Sequence, residues 1–370
     1  MIAHGRPLRV FLLSPYHAGS HAQWAEGYRS ASRHDVHIVS HEGQFWKWRL
    51  SGGAATLAEE TRQAIARVGM PDVILATSMV DVAGLVGLLR HDVSAPVALY
   101  LHEDQITYPT SGRTRTEHRL GLISWMTMLA ADTIAINSEY HRSELVKALP
   151  RFLNEFPDRT HHHLVDAVVA KTSVLPVGID LARFETVPRV ESDPPMILWN
   201  HRWDPDKVPS RFFDIVDRLH DDGVEFTVGL AGERFANQAD EYTSRIERHR
   251  ARIVADGHLQ RADYDMLLRS ARVVISTARQ ENFGVSIVEA VYAGAHPVLP
   301  NRLVYPELIP EGMHRWTLYR KTSEAVDLVA RALAAPDTVT SGGLGTVMVE
   351  YDWASVAPRY DDWLGGITPS

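Results

Sequence analysis

Short β-branched runs alternate with stretches of helical spacing along most of the chain, and this alternation restricts the possible folds more than any other feature. Strands that alternate with helices form parallel sheets joined by right-handed crossovers. In the first half, the predicted strands are 9–14, 36–40, 73–76, 97–101, 133–136 and 173–175. In the second half, the predicted strands are 196–199, 225–230, 252–254, 272–276 and 297–299, with helices at 209–221, 237–250, 261–270 and 285–293. The sequence therefore predicts an α/β protein.

This pattern occurs twice, and a polar, proline-bearing segment at 185–195 separates the two runs. A chain of 370 residues is also too long for one ordinary core. We therefore expect two Rossmann-like domains that face each other across a cleft, residues 1–187 and 195–348. The remaining segment, 349–370, is rich in aromatic side chains and is expected to form a helix that packs back on the N-terminal domain.

Composition and charge exclude several classes of protein. There is no cysteine, so disulfides, a thiolate nucleophile and cysteine-bound metals are excluded. No apolar run approaches the roughly 20 residues that span a bilayer, and the first residues lack a signal-peptide pattern, which favours a cytoplasmic protein without a membrane partner. The net charge of −8 argues against a protein that coats nucleic acid. Through residue 190 the charges balance, 19 basic against 19 acidic, so a polyanion would bind the first half more readily.

Two glutamates eight positions apart, Glu281 and Glu289, carry the strongest functional signal. Glu281 is expected on a strand-to-helix loop, and Glu289 about one turn inside the next helix, which ends at Gly294. Both carboxylates can then reach one ligand at the carboxyl edge of a sheet, where helix N-terminal amides favour phosphate or sugar oxygens. The segment between them adds further donor-binding candidates: Asn282, Phe283, Gly284 and Val285. The same spacing also fits a surface loop followed by a helix with a solvated glutamate.

Arg202 and Lys207 lie on the loop after another predicted strand. An arginine fork beside a lysine point charge suits a diphosphate, which must be neutralised as it leaves. Surface ion pairs with Asp204 or Asp206 would use the same cations without a ligand. Gly232, at the end of a further strand, either allows a close ligand approach or forms an ordinary strand-end turn.

Two loops of the first half offer a second group of candidates. Gly19 and Ser20 precede a predicted helix and could meet phosphates there, with Ser20 and Gln23 forming a capping box. The polar cluster at 100–109 follows a strand, and His102 is its best-placed residue to contact a transferred sugar or polarise a hydroxyl. A core or capping histidine is the alternative.

An aromatic and cationic run sets two tryptophans beside two cations: Trp46, Lys47, Trp48 and Arg49. Such a patch can stack a base or sugar and hold a phosphate, although both tryptophans would also fit a core. A second run, His161, His162 and His163, is expected to be an exposed loop, because adjacent residues rarely converge on one metal ion.

Together these residues resemble the glycosyltransferase family 4 pattern on a GT-B fold. Glu281 and Glu289 match its Glu-x7-Glu motif, Arg202 and Lys207 match its diphosphate-binding pair, and 176–180 is similar to its turn before the linker. This resemblance implies a nucleotide-diphosphate sugar as co-substrate, with no other cofactor.

The resemblance also implies a role for individual residues. Glu289 would bind the donor ribose, Glu281 and the amides after it would hold the transferred hexose and phosphate, and His102 would lie at the reaction centre of a retaining transfer. Arg202 and Lys207 would take the role of a metal, so no metal site is expected. Two Asp-x-Asp triplets, 204–206 and 263–265, are interpreted as structural.

A narrower resemblance, to the tRNA-queuosine α-mannosyltransferases, covers nearly the whole chain. It is carried by segments 19–21, 46–49, 101–105, 137–138, 201–203, 206–207, 275–278, 283–285 and 303–307. It implies transfer of mannose from GDP-mannose to queuosine in the anticodon of tRNA-Asp. The acceptor contacts that it implies are Ser20, His21, Trp46, Lys47, Trp48, Arg49, Glu103, Asp104 and Gln105. Two segments depart from the animal enzymes: 176–180 looks more like general family 4, and 151–163 looks like an added loop.

Two other functions fit the sequence. A family 4 enzyme with a lipid or small-molecule acceptor would be supported by a basic amphipathic helix in the first domain, whereas the helix around 118–130 is apolar and is expected in the core. A non-catalytic RNA-binding module would show salt-dependent RNA binding without use of a nucleotide sugar.

Overall fold

The computed structural model describes residues 6–108, 114–233, 239–334 and 343–367. The chain forms two compact units, the first made of Met1–Ile179 with Trp353–Ser370 and the second of Asp180–Asp352. The boundary therefore precedes the polar segment in which the sequence placed it. The reason is local: Arg183 binds Glu289 of the second unit at 2.7 Å, so the chain joins that unit directly after Asp180.

A six-stranded parallel sheet of order β2-β1-β3-β4-β5-β6 forms the centre of the first unit. Its strands are β1 (Arg9–His17), β2 (Asp35–Glu42), β3 (Val73–Thr77), β4 (Val97–Leu101), β5 (Thr133–Ile136) and β6 (Thr172–Val174). Its helices are α1 (Gly19–Ala31), α2 (Trp46–Val68), α3 (Val82–Leu89), α4 (Arg115–Ala130), α5 (Glu139–Leu153) and α6 (Val165–Ala170).

The second unit has a parallel sheet of order β12-β11-β10-β7-β8-β9. Its strands are β7 (Met196–Trp199), β8 (Thr227–Ala231), β9 (Ile253–Gly257), β10 (Ala271–Ile275), β11 (His296–Pro300) and β12 (Leu318–Tyr319). Its helices are α7 (Pro209–Asp221), α8 (Ala239–Arg248), α9 (Arg261–Ser270), α10 (Val285–Tyr292), α11 (Tyr305–Leu308), α12 (His314–Thr317), α13 (Thr322–Ala334) and α14 (Leu344–Met348).

The predicted α/β architecture is confirmed in both units. Every residue of β3 and β4 is buried, as expected for parallel strands covered on both faces. Strand β12 was missed because two residues are too few to show a pattern. The predicted capping box at Ser20 is wrong, since α1 starts at Gly19, two residues earlier than a Ser20 cap requires, and its N-cap is Ala18, without a side-chain cap.

The last helix, α15 (Trp353–Gly365), packs on the first unit, as the aromatic C-terminal segment predicted. Its Asp361 is 2% exposed and accepts hydrogen bonds from the Tyr28 hydroxyl at 2.8 Å and the Ser32 hydroxyl at 2.6 Å. The Tyr360 hydroxyl donates to the carbonyl of Pro176 at 2.9 Å. Buried carboxylates are stable when hydrogen-bonded, so Asp361 fixes α15 against α1.

Trp353 at the start of α15 fills a narrow slot between two glycines. A Cβ on Gly27 would lie 2.1 Å from Trp353 Nε1, and one on Gly178 would lie 2.3 Å from Trp353 Cε3. Trp353 is only 7% exposed, and glycines on two sides leave its ring little room to shift. This close approach explains why glycine occupies both positions.

We expect Gly27→Ala to destabilise the protein by about 1–3 kcal/mol, because it overpacks this slot. Gly87→Ala is the matched control: Gly87 also lies inside a helix, α3, but a Cβ there meets nothing within 4 Å. Alanine there should stabilise slightly, by up to about 1 kcal/mol, through helix propensity. Urea unfolding of both variants checks the prediction. Equal midpoints would contradict the role assigned to the Trp353 slot.

In the part of the chain that the structure describes, none of the helices combines the length and the apolar composition needed to cross a bilayer.

Candidate active site

The strand order of the second unit identifies one position for a ligand. Numbered from β7, the order β9-β8-β7-β10-β11-β12 is the 3-2-1-4-5-6 order of dinucleotide-binding folds. The connections from β7 and β10 leave in opposite directions, and ligands bind outside the carboxyl ends of such a pair of strands. Arg202 and Lys207 lie on the loop after β7, and Glu281 lies on the loop after β10. The topology therefore brings the predicted donor-binding residues together.

Lys207 and Glu281 form a largely buried ion pair at this position, with side chains 14% and 19% exposed. Lys207 Nζ lies 3.1 Å from Glu281 Oε2, 3.3 Å from Asp206 Oδ2 and 2.8 Å from the carbonyl oxygen of Gln280. Burial alone would lower the pKa of Lys207, but Glu281 and Asp206 outweigh it and the net shift is upward. Burial would raise the pKa of Glu281, but Lys207 and nearby groups lower it. Both partners are therefore charged at neutral pH.

Arg202 is the accessible cation of this loop. Its side chain is 61% exposed and lies 3.2 Å from Asp204. The ion pairs that the sequence offered as an alternative are present: Arg202 pairs with Asp204, and Lys207 pairs with Asp206. An exposed ion pair is worth little, about 0–1 kcal/mol, so Arg202 can exchange Asp204 for an anionic ligand at small cost. Lys207, by contrast, is held by three oxygens.

Glu289 lies inside α10 and is 5% exposed. Its Oε1 accepts from Arg183 at 2.7 Å, and its Oε2 accepts from the Tyr264 hydroxyl at 3.1 Å. Arg183 also binds Asp265 at 3.0 Å. Burial would lower the pKa of Arg183, but the two carboxylates outweigh it and raise it. The solvated-glutamate alternative is therefore wrong for Glu289.

Sequence reasoning missed Arg183 as part of this cluster. It lies in the segment after Asp180 that the sequence assigned to the end of the first domain. Tyr264 lies in the first turn of α9. From the sequence alone, it can be predicted only to border a binding site. No local pattern in the sequence pairs Arg183 with Glu289, because the two residues lie 106 positions apart.

Two polar side chains after β7 have unsatisfied hydrogen-bonding atoms. Asn200 is 5% exposed and His201 is 4% exposed. Asn200 Oδ1 and His201 Nε2 are buried without a hydrogen-bond partner among the described residues. Burial, followed by the charge of Lys207, lowers the pKa of His201 to about 3. Unsatisfied buried polar atoms are rare in folded proteins, so both atoms are candidates for contact with a ligand.

The segment between the two glutamates is partly occupied by internal contacts. Gly284 has a φ of 88°, and its amide donates to Glu281 Oε1 at 3.1 Å. Phe283 is 4% exposed and its ring contacts Tyr351 at 5.3 Å. Asn282 accepts a hydrogen bond from Gln280 at 3.0 Å. The first helical donors of α10 are Ile287 and Val288, which leaves the Val285 amide at the start of the helix.

Gly232 has a packing explanation. A Cβ at this position would lie 1.9 Å from the carbonyl oxygen of His201 and 3.0 Å from the amide nitrogen of Arg202. The close approach that requires glycine is therefore made by the backbone after β7. Gly232 sets the shape of the loop that carries Arg202.

Candidate residues of the first unit also gather at one sheet edge. Its order β2-β1-β3-β4-β5 is the 2-1-3-4-5 order of doubly wound folds, with the change of direction between β1 and β3. Gly19, Ser20 and His21 follow β1 directly. The loop after β4 is held to the loop after β3, because the amide of His102 donates to the Ser78 hydroxyl at 2.8 Å. His21 and His102 are in ring contact, with centroids 4.9 Å apart.

His102 is enclosed by aromatic rings. Its ring centroid lies 4.6 Å from that of Trp24 and 4.7 Å from that of Tyr100. Its Nε2 is buried and has no hydrogen-bond partner among the described residues. Burial, and then the neighbouring His21 and His141, hold the pKa of His102 well below its usual value. His102 is therefore a neutral imidazole at neutral pH, and its buried Nε2 is a candidate for contact with a ligand.

A hydrogen-bond network supports the loop that carries His102. Asn137 donates to the carbonyl oxygen of His102 at 2.8 Å, and its Oδ1 lies 2.9 Å from His141 Nδ1. His141 Nε2 lies 3.0 Å from Asp104 Oδ2. Asp104 is 2% exposed and also accepts from the Thr107 hydroxyl at 2.6 Å. Asp104, expected as an acceptor contact, instead orders this loop from within.

The neighbouring candidates differ from Asp104 in their surroundings. Glu103 and Gln105 are only partly buried. The amide of Glu103 donates to Ser78 at 3.3 Å, so the loop is fixed through its backbone. Both side chains are open to solvent on one side and remain candidates for the acceptor contact.

The aromatic and cationic run starts α2 and presents an exposed surface. Trp48 is 65% exposed and Phe45 is 74% exposed, so a core role is wrong for Trp48. A Cβ on Gly52 would lie 2.9 Å from the Trp48 ring; glycine therefore leaves room for the ring to contact the helix while most of the side chain stays exposed to solvent. Lys47 Nζ lies 5.4 Å from the centroid of Trp46. Arg49 is half-buried, with its Nε enclosed by protein.

The histidine run contacts α4 and the end of α5. His161 lies 3.2 Å from Trp125 Nε1, and His162 lies 2.8 Å from Asn154 Oδ1. His162 and His163 are exposed, as expected for a surface loop. The loop is shorter than predicted, because α5 extends to Leu153. Within the described ranges, no cluster of three or more potential metal ligands was found.

Comparison with known proteins gives a consistent result for both units. Residues 9–179 match a family model described as tRNA-queuosine alpha-mannosyltransferase N-terminal, and residues 183–341 match one described as glycosyl transferases group 1. Over 312 residues the chain is 31% identical to a tRNA-queuosine alpha-mannosyltransferase of Drosophila melanogaster, covering 82% of each protein.

Solved structures show the same fold. The chain matches HepE of Anabaena in complex with UDP and glucose with a TM-score of 0.70 and 16% identity, over 97% of this chain and 100% of that one. It matches sucrose-phosphate synthase of Thermosynechococcus elongatus with a TM-score of 0.72 and 13% identity, over 97% and 99%. These likenesses confirm the predicted GT-B fold with its two Rossmann-like domains.

Proposed function

The chain belongs to the tRNA-queuosine alpha-mannosyltransferase family and is a glycosyltransferase, and on this premise we propose that it transfers mannose from GDP-mannose to queuosine in a tRNA anticodon. The preferred acceptor is tRNA-Asp. The reaction replaces the bond from mannose C1 to the diphosphate oxygen with a bond to an acceptor hydroxyl oxygen, and it releases GDP and one proton. The observation that supports the donor half best is the Lys207–Glu281 ion pair, 3.1 Å long, on the loops where β7 and β10 end.

The proposal gives the two cations different roles. Arg202 leaves Asp204 and binds the diphosphate, because its fork is exposed and matches phosphate oxygens. Lys207 keeps Glu281 charged and in place, and its ammonium adds positive charge next to the leaving group. Because these side chains neutralise the developing charge, transfer should proceed in EDTA.

The two glutamates contact opposite parts of the donor in this proposal. Glu289 accepts from the ribose hydroxyls; Arg183 holds its side chain in place, and a carboxylate has lone pairs for more than the two hydrogen bonds already made. Glu281, with the Val285 amide and Asn282, binds the hexose. His102 contacts the transferred sugar through its neutral imidazole in a transfer that retains the configuration at C1.

Radiolabelled GDP-mannose tests the function directly. Incubation with tRNA that contains queuosine should place label in the tRNA fraction, with and without EDTA. The control is the same tRNA with guanosine in place of queuosine, which should stay unlabelled. Label in a lipid extract instead of tRNA would reassign the acceptor, and loss of label in EDTA would refute transfer without a metal. No transfer from any nucleotide sugar, with RNA still bound, would favour the non-catalytic alternative.

We propose that Trp48 stacks on an unpaired base of the acceptor RNA. Its open face and the adjacent Lys47 provide the two elements of single-strand recognition, an aromatic platform and a cation near the backbone. Trp48→Ala should weaken tRNA binding by about 1–3 kcal/mol, the usual value of one base–aromatic stack.

Filter binding of tRNA measures this effect. The matched control is Trp316→Ala, because Trp316 is also exposed, at 41%, but lies on α12 of the other unit. Affinity for GDP should be unchanged in both variants. If Trp48→Ala and Trp316→Ala bind tRNA equally well, Trp48 does not contact the acceptor.

A further inference from the structure

A cavity of about 400 Å³ in the second unit is lined by four cationic side chains. We name it the β11–β12 pocket after the strands that end at it. Its polar lining consists mainly of Arg211, Asn301, Arg302, Tyr319, Arg320 and Lys321. The volume lies within the range of ligand sites, about 300–1,000 Å³.

The β11–β12 pocket is separate from the Lys207–Glu281 pair. Asn301 and Arg302 follow β11, and Arg320 and Lys321 follow β12. These strands are the outer two of the sheet, whereas the ion pair lies where β7 and β10 meet. All four strands are parallel, so the pocket shares the carboxyl edge of the sheet with the donor residues but lies further out.

The charge of the pocket is opposite to that of the chain around it. After residue 190 the chain has 19 basic and 27 acidic side chains. Among the described residues, none of the four cations of the pocket forms an ion pair with a carboxylate. One acidic group stands beside it: Glu324 Oε2 accepts from the amides of Arg320 at 2.7 Å and Lys321 at 3.4 Å. Four cations against one carboxylate leave the pocket strongly positive.

The floor of the pocket is rigid and its rim is exposed. The Tyr319 hydroxyl donates to the carbonyl oxygen of Ser276 at 2.8 Å, and the Asn301 amide donates to the carbonyl oxygen of Tyr319 at 2.7 Å. Arg302 donates to the carbonyl oxygen of Ala278 at 3.0 Å. Arg320 and Lys321 are exposed and immediately precede α13, whose N-terminus adds partial positive charge.

We propose that the β11–β12 pocket binds a phosphodiester group of the acceptor RNA. Arginine forks match phosphate oxygens, and a cluster of cations on an otherwise acidic domain attracts a polyanion. In the proposed function, Arg202 and Lys207 already neutralise the diphosphate of the donor, so the pocket is not needed for it. This inference rests on that proposed function. The pocket therefore fixes the RNA at a point away from the modified nucleoside.

The test compares two double variants that change the net charge equally. Arg320→Glu with Lys321→Glu reverses the rim of the pocket. Arg218→Glu with Arg315→Glu is the control, because both arginines are exposed in the same unit but do not line the pocket. For each protein, tRNA affinity is measured over a series of salt concentrations, GDP affinity by thermal shift, and mannose transfer to tRNA.

The rim variant should bind tRNA about tenfold or more weakly than the control. The slope of log affinity against log salt should fall by about 0.7–0.9 for each phosphate that the variant no longer binds. GDP affinity should match the wild type. Equal tRNA affinity in the two double variants would refute the inference. A matching decrease in GDP affinity would assign the pocket to a free nucleotide phosphate and refute it as well.

This design separates the inference from the proposed function. If the wild-type protein labels queuosine-containing tRNA and the rim variant binds that tRNA as the control does, only the inference fails. If the wild-type protein neither binds nor labels tRNA, the proposed acceptor itself is wrong. Inorganic phosphate as a competitor adds a further check, since it should weaken tRNA binding less in the rim variant than in the control.

Discussion

Replacing Lys207 with methionine should lower the rate of mannose transfer about 10²–10³-fold, the usual effect of removing one preorganised electrostatic contact to a developing charge. Lys207 is only 14% exposed and contacts Glu281 and Asp206. Without the ammonium, those carboxylates are uncompensated next to a departing diphosphate. The rate constant for transfer at saturating GDP-mannose and tRNA measures the effect.

Lys207→Met also threatens the fold, and a second variant separates the two effects. Breaking a buried ion pair by removing one partner costs about 3–5 kcal/mol of stability. The double variant Lys207→Met with Glu281→Gln removes both charges, so its stability should recover while transfer stays low. Lys147→Ala is the control for a lysine of an exposed ion pair and should transfer at the wild-type rate. Recovery of transfer in the double variant would show that Lys207 acts only in folding.

Replacing His102 with phenylalanine should lower the rate of transfer about 10²–10³-fold, the usual effect of removing one preorganised hydrogen bond at the reacting group. Phenylalanine keeps the ring packing with Trp24 and Tyr100 but removes the buried nitrogen. His102→Gln keeps a hydrogen-bonding group and should restore part of the rate. The affinity for GDP should be unchanged in both variants. Equal rates for the two variants would argue against a hydrogen bond from His102 to the sugar.

The pH dependence of transfer gives a second measurement on His102. Its pKa is held well below the usual value, mainly by burial, so the neutral form persists as the pH falls from 7 to 6. Protonation of His102 should therefore cause no decrease in the rate of transfer between pH 7 and pH 6. Trp24→Ala exposes the ring and should move its pKa up towards about 6.5. That variant should lose activity as the pH falls through its new pKa, because the protonated imidazole no longer accepts a hydrogen bond.

The sequence predicted the positions of Glu281, Glu289 and Lys207 in the fold well because these positions depend on short-range patterns. A β-branched strand, a loop and a helix ending at Gly294 were enough to place Glu281 and Glu289, and the same reasoning placed Lys207. The carboxyl ends of parallel strands lie at one edge of a sheet, so residues that directly follow neighbouring strands lie close together in the fold. For this reason the fold, the family and the convergence of the cations with Glu281 were all accessible from the chain alone.

Other features depend on contacts between distant parts of the chain. Arg183 binds Glu289 across more than a hundred positions, and no local pattern announces that pairing. In the sequence, Asp104 is one acidic residue of a polar loop. In the structure it is buried and contacts His141. Local sequence assigns Trp48 neither to the core nor to the surface, because the outcome depends on how its ring lies over Gly52. The surroundings of Arg183, Asp104 and Trp48 therefore depend on tertiary packing, which local sequence does not determine.

The return of α15 to the first unit also determines when that unit can be completed during synthesis. The whole second unit, Asp180–Asp352, is inserted between the sheet of the first unit and the helix that supplies Asp361 and Trp353. At about 5–20 residues per second, the ribosome needs roughly 10–35 s to make that insert. During this interval Trp24, Tyr28 and Gly178 lack their final packing partners. We expect the nascent first unit to be the segment on which chaperones act longest.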